Sequence, residues 1–132
     1  MTGVQTCALP ILVTEMNMEH SAILARNSYN TELQNKTAFF EVDDTVSSFT
    51  ADRTEFIGRN GLLSNPEAMN KAKLSGKCGA GLDPCAAIQS VFDLPDDGEQ
   101  EIIFKLGAGN DFNHAIDLIK QFKTAEIGRA HV

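Results

Sequence analysis

Residues 36–42 read KTAFFEV, a run in which apolar, aromatic and β-branched side chains are concentrated. Such a run predicts a β-strand, because these residue types pack well on a pleated surface. Successive side chains of a strand point to opposite sides, so alternate residues share a face. One face would carry Ala38, Phe40 and Val42, and the other Thr37, Phe39 and Glu41.

Further strand signals lie on both sides of this run. Residues 21–26 (SAILAR) and the weaker 46–50 (VSSFT) are predicted strands that flank it in sequence. Later in the chain, 85–94 (CAAIQSVFDL) and 101–106 (EIIFKL) surround the turn sequence PDDG at 95–98. Because a short Pro/Asp/Gly segment between two apolar runs is typical of a hairpin, we expect these two strands to pair.

Two helices are expected beside the strands. Ser64 or Asn65 followed by Pro66 and Glu67 predicts a short helix near 65–73, with Glu67 completing a capping box. Residues 110–124 predict a carboxy-terminal helix that Asn110 or Asp111 would cap. Its apolar stripe comprises Phe112, Ala115, Ile116, Ile119 and Phe122. From the residues alone, the fold class is mainly β with a terminal helix.

Composition limits the class of protein. The chain has 132 residues, 42% of them hydrophobic, and a net charge of -7. It is large enough for one domain, and it lacks an apolar run that could span a bilayer. The acidic balance argues against nucleic acid and anionic membrane surfaces as partners, because both attract clustered Lys and Arg.

Both ends of the chain are interpreted as foreign. One DNA segment, ACGTGTGCTCTTCCGATC, can encode TCALPI at 6–11, and its reverse complement read one base along encodes IGRAHV at 127–132. The two ends therefore look like translated sequencing-adapter DNA, and residues 1–11 and 127–132 are set aside from fold reasoning. With them goes the apolar segment 7–13 as a signal-peptide core, so a cytoplasmic location is expected.

The candidate reactive groups do not form a recognisable site. Cys78 and Cys85 are expected to be buried or half-buried free thiols, and they lack the companion ligands that zinc requires. The glycine-rich loop 74–83 contains Gly76-Lys77 but no following Ser or Thr and no helix, so nucleotide binding is not expected. No catalytic residue and no metal ligand is assigned.

The most unusual polar segment is ADRTEFIGRNG at 51–61. It is interpreted as an anchored turn: Asp52 and Arg53 would pair or bond backbone where the preceding strand ends, and Phe56 with Ile57 would enter the core. Gly58 and Gly61 would form turns. That leaves Arg59 and Asn60, which lie between the two glycines without apolar neighbours. These two are the predicted substrate-binding residues.

Several ordered blocks resemble the amino-terminal β-supersandwich domain of glycoside hydrolase family 94. They are FTADRTEFIGRNG at 49–61, Asn65-Pro66, LSGK at 74–77 and GAGLDPCAAIQ at 79–89. The resemblance covers roughly residues 21–124 and is nearest to cyclic β-1,2-glucan synthetases. It implies a partial, supersandwich-like antiparallel β-sandwich at 12–109, with 110–126 as the start of a linker helix. A partial sandwich should leave apolar faces and strand edges open.

The resemblance also implies a function. Family members act on β-linked glucans, and the phosphorylases among them use one catalytic Asp with inorganic phosphate, unlike two-carboxylate glycosidases. The catalytic α/α-barrel domain would lie outside this chain, so the chain is expected to be a noncatalytic fragment with no cofactor of its own.

The implied parent enzyme is a cyclic β-1,2-glucan synthetase or a β-glucoside phosphorylase that takes inorganic phosphate or a nucleotide sugar. A homodimeric and, for the synthetases, inner-membrane parent is also implied, with a β-glucan as its carbohydrate partner. The alternative is a stand-alone noncatalytic sugar-binding or structural β-sandwich module, although the chain has no Trp and only Tyr29 as tyrosine.

Overall fold

The computed structural model describes residues 12–27, 29, 32 and 35–129, with side chains described up to residue 123. The mainly β architecture is confirmed: six strands form two antiparallel sheets arranged as a partial sandwich. None of the described helices is long and apolar enough to cross a membrane. The elements in chain order are β1 (Leu12–Asn17), β2 (Ala22–Asn27), β3 (Thr37–Val42), β4 (Ser48–Asp52), α1 (Arg53–Ile57), a 3-10 helix (Glu67–Asn70), β5 (Pro84–Gln89), β6 (Phe104–Gly109) and α2 (Phe112–Arg129).

The first sheet has the strand order β1-β2-β3-β6, and the predicted KTAFFEV strand is the inner strand β3. Its register places Phe39 opposite Leu24 of β2 and Gly107 of β6. One residue along, Phe40 lies opposite Ile23 and Leu106, on the other face of the sheet. The predicted alternation along β3 is therefore present, and each face of the sheet has its own environment.

Helix α2 covers the face that carries Phe39. Ala115 and Ile119 from its predicted stripe are fully buried there, in a core with Ala22, Leu24 and Phe39. Burying side chains the size of Leu24 and Ile119 contributes about 1.5–3 kcal/mol each. The helix is capped by Asp111, whose Oδ1 accepts the His114 backbone N–H at 2.7 Å. Phe112 and Phe122, at the two ends of the stripe, are partly exposed.

A buried carboxylate joins α2 to the sheet. Glu41 of β3 is fully buried on the helix face, with Lys105 Nζ 2.8 Å from Oε1 and Lys123 Nζ 3.6 Å from Oε2. Lys105 comes from β6 and Lys123 from α2, so the three charges connect three elements. An ion pair of this kind is needed because an unpaired buried carboxylate is strongly unfavourable.

The second sheet is formed by β4 and β5 alone, with an irregular register between Thr50 and Asp52. The glycine-rich loop 74–83 connects it to the first sheet. Ala51 N–H donates to the Lys77 carbonyl at 2.7 Å on the β4 side. On the β1 side, Thr14 N–H donates to the Gly79 carbonyl at 3.2 Å, and Gly79 N–H donates to Thr14 Oγ1 at 3.0 Å.

The predicted hairpin between 85–94 and 101–106 is wrong. β5 pairs with β4, whereas β6 pairs with β3, so the two segments lie in different sheets. The turn between them does form, because Gly98 N–H donates to the Pro95 carbonyl at 2.9 Å. β5 ends at Gln89, earlier than predicted, and β6 begins at Phe104, later than predicted.

Small residues explain where β6 lies. A Cβ atom on Gly107 would come within 2.6 Å of the Phe39 ring, and one on Gly109 within 2.5 Å of the Ala115 backbone. Only glycine at these two positions lets β6 lie between Phe39 and α2. This tertiary fit overrides the local turn signal.

The remaining differences are smaller. The short helix predicted at 65–73 is a single 3-10 turn, Glu67–Asn70, preceded by Pro66 and without a side-chain cap. The carboxy-terminal helix begins at Phe112 and continues to Arg129, past the predicted end at 124. β1 was not predicted. Cys85 is half-buried as expected, but Cys78 is exposed.

Candidate functional site

The polar segment 51–61 begins where β4 ends, and Asp52 controls that end. Its Oδ1 accepts the Thr54 backbone N–H at 3.1 Å, which makes Asp52 the N-cap of α1. The prediction that Asp52 bonds backbone is confirmed. Arg53 does not pair with Asp52; its guanidinium lies 3.5 Å from Asp83, with both side chains about half exposed. An ion pair so exposed contributes little to stability.

The residues after Asp52 form a short helix, α1, where a turn was predicted. Glu55 explains why this helix is held against β4. Its side chain is only 8% exposed. Oε1 accepts the Thr50 hydroxyl at 2.6 Å, and Oε2 accepts the Ser75 backbone N–H at 2.9 Å. Ser75 Oγ donates to Oε1 at 2.5 Å, so one carboxylate joins β4, α1 and the glycine-rich loop.

The environment of Glu55 also changes its acidity. Burial acts to raise the pKa of its carboxyl, but hydrogen bonds from Ser75 and Thr50 and the nearby charge of Lys71 outweigh it. The net result is a pKa below the usual value for glutamate. Glu55 is therefore ionised at neutral pH and acts as a structural acceptor. Sequence reasoning missed this role because a Glu among charged residues resembles a solvated surface position.

Phe56 and Ile57 attach α1 to its surroundings without being fully buried. Phe56 lines an apolar cleft of about 380 Å³, together with Met69, Leu74 and Ile88. The predicted anchoring role is therefore confirmed in part: both side chains are half-buried at the edge of the second sheet.

Two glycines shape the turn that follows α1. Gly58 has φ 89° and its N–H donates to the Thr54 carbonyl, which ends the helix. A Cβ atom on Gly58 would collide with the Glu67 carboxylate, and one on Gly61 would collide with the Ile57 carbonyl. The predicted turn roles of Gly58 and Gly61 are confirmed. The turn leaves Arg59 and Asn60 exposed between them.

Arg59 and Asn60 lie at the rim of an open depression of about 480 Å³, which we call the polar hollow. It is lined by Arg59, Asn60, Gly61, Asn65, Glu67 and Asn70. The packing of Glu67 on Gly58 brings the 3-10 helix beside the turn, which is why these residues meet. Asn65, Glu67 and Asn70 were assigned to a helix start from sequence, and their part in the hollow was missed.

The chemistry of the polar hollow is hydrogen bonding. Arg59 offers several donors, the Asn amides both donate and accept, and Glu67 accepts when ionised. Such a set matches a polyhydroxylated ligand, whose hydroxyls also donate and accept. Among the residues that the structure describes, no group of three or more His, Cys, Asp or Glu could hold a metal ion.

The half-buried thiol is not activated. Burial, followed by the negative charges of Asp52, Asp83 and Glu55, raises the pKa of Cys85 to about 11. A thiol with such a pKa is protonated at neutral pH, and the thiolate is the reactive form. Cys85 therefore packs as a small apolar side chain.

Comparison with known proteins bears directly on the segment 51–61. Residues 5–125 match the family described as "Glycosyl hydrolase 94, supersandwich domain". The matched range overlaps the predicted foreign segment 1–11, and the division of the chain at residue 12 stays a prediction. The chain is also 26% identical over 122 residues to "Cyclic beta-(1,2)-glucan synthase NdvB" of Rhizobium meliloti (strain 1021). That alignment covers 92% of this chain and 4% of the relative. The chain belongs to the glycosyl hydrolase 94 supersandwich-domain family.

Proposed function

We propose that this chain is the noncatalytic supersandwich part of a longer carbohydrate-active enzyme, called the parent here. The parent is a cyclic β-1,2-glucan synthetase or a β-glucoside phosphorylase, and this part supports its α/α-barrel catalytic domain. Support comes from the family match and from the similarity to a glucan synthase of which this chain spans only 4%. α2 is then the start of the linker towards that domain.

One observation carries the proposal: the paired exposure of Arg59 and Asn60 at the rim of the polar hollow. Their position is not left to a mobile loop. Gly58 ends α1 directly before them, and Glu55 fixes α1 to β4 and to Ser75. Polar groups held in this way can orient glucan hydroxyls without losing much conformational freedom on binding.

The polar hollow supplies only part of a sugar site. It is open to solvent, and its lining residues include no aromatic ring on which a pyranose could stack. Tyr29, the tyrosine of the chain, is exposed and is not among them. We therefore assign Arg59 and Asn60 to the border of a site whose catalytic Asp and co-substrate site, for phosphate or a nucleotide sugar, belong to the catalytic domain.

Replacement of Arg59 in the parent tests this assignment. Arg59→Ala should raise KM for the glucan about 10- to 100-fold with a small change in kcat, because a hydrogen bond to a charged group contributes about 1.5–3 kcal/mol. Arg53→Ala is the matched control, since it removes a guanidinium that pairs with Asp83 outside the hollow. Equal KM values for the two variants would refute the role of Arg59.

A stand-alone sugar-binding module is the second candidate, because the polar hollow is formed entirely within this chain. Titration of the isolated chain with linear β-1,2-gluco-oligosaccharides separates the two. Saturable binding that Arg59→Ala abolishes would establish the module. Absence of binding by the chain, combined with a KM effect in the parent, supports the bordering role.

A further inference from the structure

Strand β6 is the outer strand of the first sheet, and its outer edge is open. The order β1-β2-β3-β6 gives it a hydrogen-bonded neighbour on one side only. Within the described ranges, no other strand or loop makes a backbone hydrogen bond to residues 104–109. Alternate N–H and C=O groups along such an edge point outward, which makes it a template for another strand.

The other strand edges in the described part of the chain are treated differently. β1 is bonded through Thr14 to Gly79, and β4 is bonded through Phe49 and Ala51 to the glycine-rich loop. In both cases loop backbone occupies positions where a further strand would pair. β5 begins with Pro84, which lacks an N–H donor, and packs against the first sheet through Cys85 and Ala86.

β6 also lacks the features that usually protect an edge strand, which are free charges, proline and bulges. Its pairing with β3 runs without interruption from Phe104 to Gly109. Lys105 is its charged residue, and that charge is directed to the buried Glu41 at 2.8 Å, with the lysine side chain 18% exposed. The outward-facing strand is therefore electrically neutral.

The side chains beside this edge are apolar and exposed. Leu106 is 80% exposed and Phe104 is 46% exposed. The Phe104 ring stacks on Phe40 of β3, with 5.6 Å between centroids and 10° between planes. The open backbone edge thus adjoins an apolar face, and a strand added there would bury its own apolar side chains against Phe104 and Leu106.

We propose that β6 is a dimer interface, at which β6 of one copy pairs antiparallel with β6 of a second copy to make a continuous eight-stranded sheet. Pairing about a two-fold axis is self-complementary here. With Leu106 opposite Leu106 of the second copy, Phe104 faces Ala108 and Lys105 faces Gly107. No like charges become neighbours across the strands, and the exposed apolar residues of both copies lie on the same face.

The net charge of the chain adds a second expectation. Two copies that each carry a formal charge of -7 repel one another at long range. Because salt screens that repulsion, while backbone pairing and apolar contact are hardly screened, higher salt should strengthen the dimer.

Sedimentation velocity on the whole chain, over a range of protein and salt concentrations, tests the proposal. We expect a monomer–dimer equilibrium that tightens with salt, and Leu106→Lys should raise its dissociation constant about tenfold or more by placing a charge at the seam. The matched control is Leu63→Lys, which makes the same change at another highly exposed leucine, in the turn after α1. It should leave the equilibrium unchanged.

Circular dichroism and urea unfolding verify that both variants stay folded, as expected for residues that are mostly exposed. Hydrogen exchange then provides a readout at the strand itself: amides of 104–109 should gain protection in the dimer and lose that gain in Leu106→Lys. A monomer at every concentration would overturn the proposal. So would an association that Leu63→Lys weakens as much as Leu106→Lys, or a dimer without added protection in β6.

Discussion

At the scale of single residues, Glu55 is the side chain whose chemistry most affects the candidate site. It accepts hydrogen bonds from Thr50 and Ser75, and its pKa is lowered in the folded protein. A carboxyl with a depressed folded-state pKa contributes stability above its unfolded pKa, and that contribution is lost as pH falls through the folded value. Glu55 should therefore stabilise the chain at neutral pH and progressively less below pH about 4.3, the ordinary glutamate value.

Replacing Glu55 by Gln tests this linkage. The variant should lose about 1–3 kcal/mol of unfolding free energy at pH 7, because charge-assisted hydrogen bonds are weakened or lost. The difference from the original chain should shrink in acid, where Glu55 is itself protonated. Urea unfolding at several pH values measures both, with exposed Glu99→Gln as the control. A difference that does not change with pH would contradict the lowered pKa.

Cys78 and Cys85 differ in accessibility and charge state, so their reactivity should differ. With Cys7 replaced by Ser, a thiol reagent at pH 8 should label exposed Cys78 first. Cys85 should react roughly 100-fold more slowly, because a pKa of about 11 leaves little thiolate at that pH. Mass spectrometry of timed digests gives the two rates. In urea the rates should converge, and a persistent difference there would mean that folding is not its cause.

At the scale of elements, the Glu41 cluster determines how α2 binds to the first sheet. Lys105→Met should destabilise the chain by about 3–5 kcal/mol, since the buried Glu41 keeps only the more distant Lys123. Lys123→Met should have a smaller effect, because its contact is longer and more exposed. The double variant Glu41→Gln/Lys105→Met should recover part of the loss, which a double-mutant cycle of denaturant unfolding measures. Additive effects in that cycle would show that the two side chains do not interact.

Element identity was easier to predict than element pairing. β2 and β3 follow from local apolar patterns at 21–26 and 36–42, and α2 from its three- and four-residue spacing. The pairing of β6 with β3 depends on Gly107 and Gly109 fitting against Phe39 and Ala115, which are far away in sequence. A local turn at 95–98 therefore suggested a hairpin that the tertiary contacts do not allow.

The candidate site shows the same division between local and distant information. Arg59 and Asn60 could be singled out because glycines flank them, and the structure exposes both. Glu67 could not, since its contact with Gly58 depends on the path of the chain through 62–66. Glu55 was hidden for a related reason: its hydroxyl and amide donors come from β4 and from a loop twenty residues later.

At the scale of the whole molecule, the two sheets are unequally stabilised. The buried cluster of Ala22, Leu24, Phe39, Ala115 and Ile119 belongs entirely to the first sheet and α2. β4 and β5 contribute no member of it. Between the sheets lies an apolar cavity of about 180 Å³, whose lining includes Ile23, Phe40 and Cys85. An interface that contains such a gap forfeits contacts, so the second sheet should open more readily than the first.

Thr14 is the residue through which this inequality can be tested. Its Oγ1 accepts the Gly79 N–H, and its own N–H donates to the Gly79 carbonyl, so it connects β1 to the loop that borders β4. Thr14→Val keeps the shape and the backbone bond but leaves the Gly79 N–H without its acceptor. We expect a loss of about 1–3 kcal/mol, confined to the second sheet.

Hydrogen exchange followed by mass spectrometry resolves the two sheets in this variant. Protection should fall in 48–52, 74–79 and 84–89 and stay nearly unchanged in 22–27 and 37–42. Thr45→Val, at an exposed position outside the sheet connection, is the control. An equal loss of protection in both sheets would mean that they unfold as one cooperative unit despite the cavity. A loss restricted to the second sheet would identify the half that carries Arg59 and Asn60 as the more mobile one, which a neighbouring catalytic domain would then have to order.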